Sequence, residues 1–195
     1  MIVLYKKKLI LSKKLKLLKN YFTLYKPFLV FVLKFLATYS LMSFAYHFYL
    51  SQYVMTIDPI TQMVAKQSKD FLSLFSPNVY IQNDIKSACV QFFYKKNYIL
   101  RVIEGCNGLS IIILFVAFII AFKGQLKNTL GYILFGILII HVLNIVRIAL
   151  LAVLLFEYAT YEHFWHDILF PLIIYGTVLV LWIFWVKSFS NTIKK

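Results

Sequence analysis

Residues 28–50 form an apolar run of 23 residues interrupted only by Lys34 and His47. As a helix rising about 1.5 Å per residue, such a run crosses a hydrocarbon core about 30 Å thick. Two more runs of this kind follow, at 129–156, which contains His141, Asn144 and Arg147, and at 168–186. A further run, 109–122, has only 14 residues. It reaches the usual minimum of about 17 only when residues 106–108 are added. Of the 195 residues, 62% are hydrophobic and 14% charged, against about 45–50% and about 25% in soluble domains. The expected fold is therefore an all-α integral membrane protein with about four transmembrane helices.

Lys and Arg outnumber Asp and Glu by 21 to 7, a net charge of +14, which in a soluble chain would indicate nucleic acid. Its distribution indicates a bilayer instead. Residues 1–27 hold eight Lys and no acid, the 123–128 connection holds Lys123 and Lys127, and the tail holds Lys187, Lys194 and Lys195. The 157–167 connection holds Glu157, Glu162 and Asp167 and neither Lys nor Arg. By the positive-inside rule both termini face the cytoplasm, and segments 51–105 and 157–167 face outward. The lipid bilayer is the expected partner of the charge, and nucleic acid is not. Lys6, Lys7, Lys8, Lys13, Lys14, Lys16 and Lys19 alternate with Leu and Ile, the pattern of a basic amphipathic helix on an anionic leaflet.

Within the outward loop, Ile60, Met63, Val64, Phe71, Leu74 and Phe75 recur at helical spacing, predicting an amphipathic helix on the outer surface. Residues 79–93 and 98–103 are rich in β-branched and aromatic side chains and flank Lys95-Lys96-Asn97, which predicts a β-hairpin.

Candidate chemistry lies where polar residues meet the apolar runs. Arg147 falls about 27 Å along a helix beginning at Thr129, near the outer edge of the core. An intramembrane Arg costs about 2.5–3.5 kcal/mol at mid-helix, so it faces protein or water. Asn144 lies one turn earlier. Cys106, in Glu104-Gly105-Cys106-Asn107-Gly108, precedes the short run, where a helix N-terminus favours a thiolate. His163 and His166 sit in the second outward connection. Nucleophilic thiol catalysis needs a thiolate, a proton shuttle and a positive group for the oxyanion, and a Cys, a His and an Arg reach one side of the membrane. A structural disulfide between Cys89 and Cys106 is the competing reading of the thiols. No zinc-type ligand cluster, phosphate-binding Gly loop or Ser-His-Asp pattern is present, so neither metal nor cofactor is expected.

The segment 104–108, the run Asn144-Ile145-Val146-Arg147 and the segment 163–167 resemble, in order, the motifs of the exosortase/archaeosortase family, and of its exosortase F type in particular. The resemblance implies a membrane-embedded cysteine protease or transpeptidase. Its substrates would be exported proteins ending in a short motif, a transmembrane helix and a basic cluster. By position, Cys106 would be the nucleophile, Arg147 the cation and His166 the proton shuttle, with His163 as the fallback. Glu104, Asn107 and Asn144 would support them. The position after the Cys, often Ser or Ala in the wider family, is Asn107 here, and Phe170 stands where a small residue is often seen. The organisation expected is a basic cytoplasmic segment over 1–27, a transmembrane catalytic domain over 28–186 with its outward loop 51–105, and a cytoplasmic tail over 187–195. The setting would be the bacterial inner membrane, with the site facing outward. The alternative is a non-enzymatic scaffold or assembly subunit of an export or polysaccharide system.

Overall fold

A computed structural model describes the backbone of residues 2–122 and 124–190, and side chains from Thr23 to Ser188 apart from residue 123. The lysine face expected over Lys6–Lys19, together with Lys123, Lys194 and Lys195, lies outside the described side chains. Five helices carry the chain: α1 (Ile2–Leu50), α2 (Pro59–Ser73), α3 (Leu109–Ala121), α4 (Leu126–Glu157) and α5 (Phe170–Ser190). Between α2 and α3 run three strands, β1 (Val79–Asp84), β2 (Cys89–Tyr94) and β3 (Asn97–Val102).

Among the described residues, three helical segments are long and apolar enough to cross a membrane, Thr23–Tyr53, Leu126–Glu157 and Phe164–Ser188. The expectation of about four resolves into three full-length spans and one short helix. With 13 residues, α3 reaches about 20 Å, roughly two thirds of a hydrocarbon core. Along α1, Phe31 packs edge-on against Phe118 and Phe122 at 5.4 and 6.0 Å, while Leu33, Leu41 and Phe44 are exposed as lipid-facing residues are.

Two apolar cores are strung along α4, whose 32 residues exceed what the bilayer needs. The lower core joins Phe115 and Ile119 of α3, Ile140 of α4 and Val178, Leu181 and Trp185 of α5. Gly136 makes it possible, because a Cβ there would sit 2.2 Å from the Phe115 ring. The upper core joins Val64, Ala65 and Leu72 of α2, Val90, Phe92 and Tyr94 of β2, Val102 of β3, and Ile148, Ala149 and Ala152 of α4.

Both elements expected in the outward loop are present, and the upper core shows what each packs against. Helix α2 packs against the sheet and α4 through Thr61, Val64, Ala65, Ser68 and Leu72. Of the stripe expected to rest on a membrane surface, Val64 is buried, and Met63, Leu74 and Phe75 are exposed. Asp58 caps this helix by accepting from Thr61 N at 2.9 Å, the favoured N-cap arrangement. The predicted hairpin is half of an antiparallel three-strand meander, β1-β2-β3. Lys95 and Lys96 close its second turn with φ of 49° and 68°, as a two-residue hairpin of type I′ requires.

The sheet docks on the end of α4. Lys95 Nζ lies 3.2 Å from Glu157 Oε1, and Tyr94 meets Phe156 at 5.3 Å. Segments 51–105 and 157–167 therefore sit at the same end of the helix bundle. An exposed pair of this kind adds little, about 0–1 kcal/mol; the buried Tyr94 ring against the partly buried Phe156 holds the contact.

Candidate active site

Leaving β3, the chain makes a single 3₁₀ turn over Glu104–Cys106 before α3 begins. Cys106 N donates to Ile103 O at 2.8 Å. Gly108 then takes a left-handed conformation, φ 79°, as the residue before α3. Its α-hydrogen side faces Asn144, whose Nδ2 would be 3.1 Å from an added Cβ. The backbone angle favours glycine, and an added Cβ would press on Asn144. Gly105, by contrast, has no heavy atom within 4 Å of a built Cβ, so this side of the turn is open.

Asn144 is 1% exposed and ties the turn to α4. Its Nδ2 donates to the Cys106 carbonyl at 2.8 Å, and its Oδ1 accepts from Arg147 Nη1 at 3.4 Å. Asn107 is buried as well. Its Oδ1 accepts from Leu109 N at 2.9 Å, and its Nδ2 donates to Tyr46 Oη at 2.9 Å and Thr61 Oγ1 at 3.3 Å. The asparagine that departs from the wider family's Ser or Ala thus binds the turn to α1 and α2.

Arg147 emerges where the lower and upper cores meet. Its Nε is buried and, among the described residues, has no hydrogen-bond partner. Cys106, Arg147 and His166 line one cavity of about 430 Å³, together with Glu162, residues 98–103 of the β3 segment, and Ile148, Leu151 and Leu155 of α4. Arg147 and His166 also line a neighbouring cavity of about 310 Å³ with Gly105, Ser110 and Asp167. The two residues stand at the partition between these spaces.

His166 belongs to a π-helical turn, Phe164–Leu169, that opens the last span, a distortion frequent at functional sites. Its Nδ1 lies 2.6 Å from Asp167 Oδ1, and His163 Nδ1 lies 2.6 Å from Asp167 Oδ2. An ionised carboxylate only accepts, so it orients Nδ1–H of His166 toward itself and leaves Nε2 as the basic nitrogen. The His163 side chain is 83% exposed and lines neither cavity. Geometry therefore separates the two histidines, and only His166 shares a space with the thiol.

In the sequence Asp167 counted as a topology charge and as the end of the 163–167 segment, without a role of its own, although its i,i+4 spacing from His163 and adjacency to His166 carried the signal. Glu104 goes elsewhere. It is exposed and lines a separate cavity of about 490 Å³ with His47 and Asp58, so the acid nearest the thiol cavity is Glu162. Both thiols are free, which removes the disulfide reading. Burial in β2 pushes the Cys89 thiol above its ordinary value, with the nearby Asp84 charge acting in the same direction. Among the described residues no group of three or more His, Cys, Asp or Glu is placed to hold a metal ion.

Fold and site define a polytopic membrane protein with a thiol-lined cavity at one end of its helix bundle. A sequence model described as "Transmembrane exosortase" matches residues 24–187, and the chain belongs to that family, whose members are generally cysteine transpeptidases. No curated protein and no solved structure matches the chain.

Proposed function

We propose that this chain is an exosortase of the F type, a cysteine transpeptidase. It cleaves C-terminal sorting signals of exported proteins on the outer side of a bacterial inner membrane. The observation that carries this reading is the shared cavity of Cys106, Arg147 and His166, assembled from three segments distant in the chain.

Nε2 of His166 takes the Cys106 proton, and the thiolate attacks the scissile carbonyl carbon. Arg147 stabilises the developing oxyanion. As the tetrahedral intermediate collapses, the C–N bond breaks and the imidazolium protonates the leaving amine, giving a thioester on Sγ. An acceptor amine or water, deprotonated by His166, then attacks the thioester carbon. The C–S bond breaks and Cys106 is released. Asp167 holds the imidazole in its tautomer, and Asn144 positions Cys106 and Arg147 without touching the substrate. The cavity shared by Arg147, His166, Gly105 and Ser110 is the space from which an acceptor would approach.

Substrates ending in a short motif, a membrane helix and a basic cluster fit a site at one end of apolar helices. Their own helix would lie in the bilayer beside α3–α5, and their basic cluster would stay in the cytoplasm. Residues 28–186 constitute the catalytic domain on this reading, with 1–27 and 187–195 cytoplasmic. Replacing Cys106 by Ala in cells that carry a tagged exported protein of this design abolishes its processing. Unchanged processing would leave the chain as a scaffold.

A further inference from the structure

β3 is an edge strand, and among the described residues no fourth strand pairs with it. Residues 98–102 make their backbone pairs with β2 and no others among the described residues. Strand side chains alternate between the two faces of a sheet, so a cavity lying on one face touches every second residue. The cavity that holds Cys106, Arg147 and His166 touches six consecutive ones, Tyr98, Ile99, Leu100, Arg101, Val102 and Ile103. Continuous lining of this kind means that the cavity runs along the open backbone edge. Beyond Ile103 the same backbone enters the turn that ends in Cys106.

An open edge offers a row of unpaired N–H and C=O groups and is a template for another strand. We propose that the substrate docks as an extended strand on the free edge of β3, which delivers its scissile carbonyl to Cys106. The proposal rests on Cys106 being the nucleophile and adds how the peptide is held. Backbone pairing supplies affinity that is tolerant of sequence, while alternate side chains of the peptide point to different walls. One of those walls is the apolar rail of Ile148, Leu151 and Leu155 on α4. At about 3.3 Å per residue, the six residues of edge span about 20 Å, enough to read a short motif ahead of a membrane helix.

The test uses the full-length protein in phospholipid nanodiscs. Its probes are capped pentapeptides of alternating Val and Thr that end in a vinyl sulfone, whose terminal carbon accepts Sγ while the neighbouring carbon takes up a proton. One parent peptide is compared with versions N-methylated at each single amide, and adduct at Cys106 is followed by mass spectrometry. Docking on β3 predicts a period-two profile: methylation at alternate amides slows labelling by about tenfold through the lost backbone hydrogen bond, and the intervening positions tolerate it. A flat profile overturns the docking. So does a parent peptide that fails to label while iodoacetamide labels Cys106 readily, and that result leaves the nucleophile reading standing. Failure of both reagents at Cys106 removes the nucleophile and the docking together.

Discussion

The two halves of the candidate site are built differently. On the Cys106 side, the turn is clamped by two buried asparagines, Asn107 and Asn144, and by Gly108 in a left-handed conformation close against Asn144. On the His166 side, a π-helical turn is exposed, and the described hydrogen bonds of its histidines go to one carboxylate, Asp167. Buried polar groups are costly when left unpaired, so the first half is rigid by necessity. The second half is held at the surface by the contacts of His163 and His166 with Asp167. On the proposed mechanism, the nucleophile and the cation belong to the clamped half and the proton shuttle to the exposed one.

That contrast can be broken by substitution. The largest effect is expected at His166: in a processing assay, His166→Ala lowers turnover by about 10²–10⁴-fold, whereas His163→Ala, at an exposed position, stays within about twofold. Equal losses would mean that the turn matters as a structure and not through one imidazole. Next comes Arg147→Met, expected to reduce turnover by about 10²–10³-fold with only a small fall in melting temperature, since the one described hydrogen bond lost is the long 3.4 Å contact from Nη1 to Asn144 Oδ1. Asn144→Ala strands the Cys106 carbonyl and should cost about 1–3 kcal/mol. Thermal unfolding reads this cost, and no comparable shift is expected for Asp167→Asn on the exposed half. The smallest difference is chemical. Because burial raises the Cys89 thiol, an impermeant maleimide at neutral pH should modify Cys106 first, and faster labelling of Cys89 would reverse the assignment of the open thiol.

How far the sequence reaches also differs between the two regions. The clamped half was legible, since a Cys between glycines before a short apolar run and an Asn–Arg pair one turn apart on a span are local patterns. The role of Asp167 was not, because it depends on a turn that gathers His163, His166 and the acid. Helix α2 was legible as a helix, but its buried face was read only in part, for a related reason. Its buried face uses Thr61, Ala65 and Ser68, small residues that let the helix approach its neighbours closely, whereas apolar periodicity highlights the larger exposed Met63, Leu74 and Phe75. The first hairpin was hidden because residues 85–88 contain none of the usual Gly, Pro or Asn. Asp84 Oδ1 turns the chain there by accepting from Lys86 N at 3.1 Å and Ser87 N at 3.4 Å. Glu104 stands beside the thiol in sequence, yet its side chain lines a different cavity.

The central claim is that Cys106 carries the acyl group between donor and acceptor. Its most direct test is mass spectrometry of the Cys106 peptide after the nanodisc-embedded protein is mixed with an uncleaved substrate and quenched in acid. The account predicts an acyl adduct on Cys106 that hydroxylamine releases and that forms far more slowly in the His166→Ala protein. Processing that proceeds at full rate with no adduct on Cys106 would contradict it.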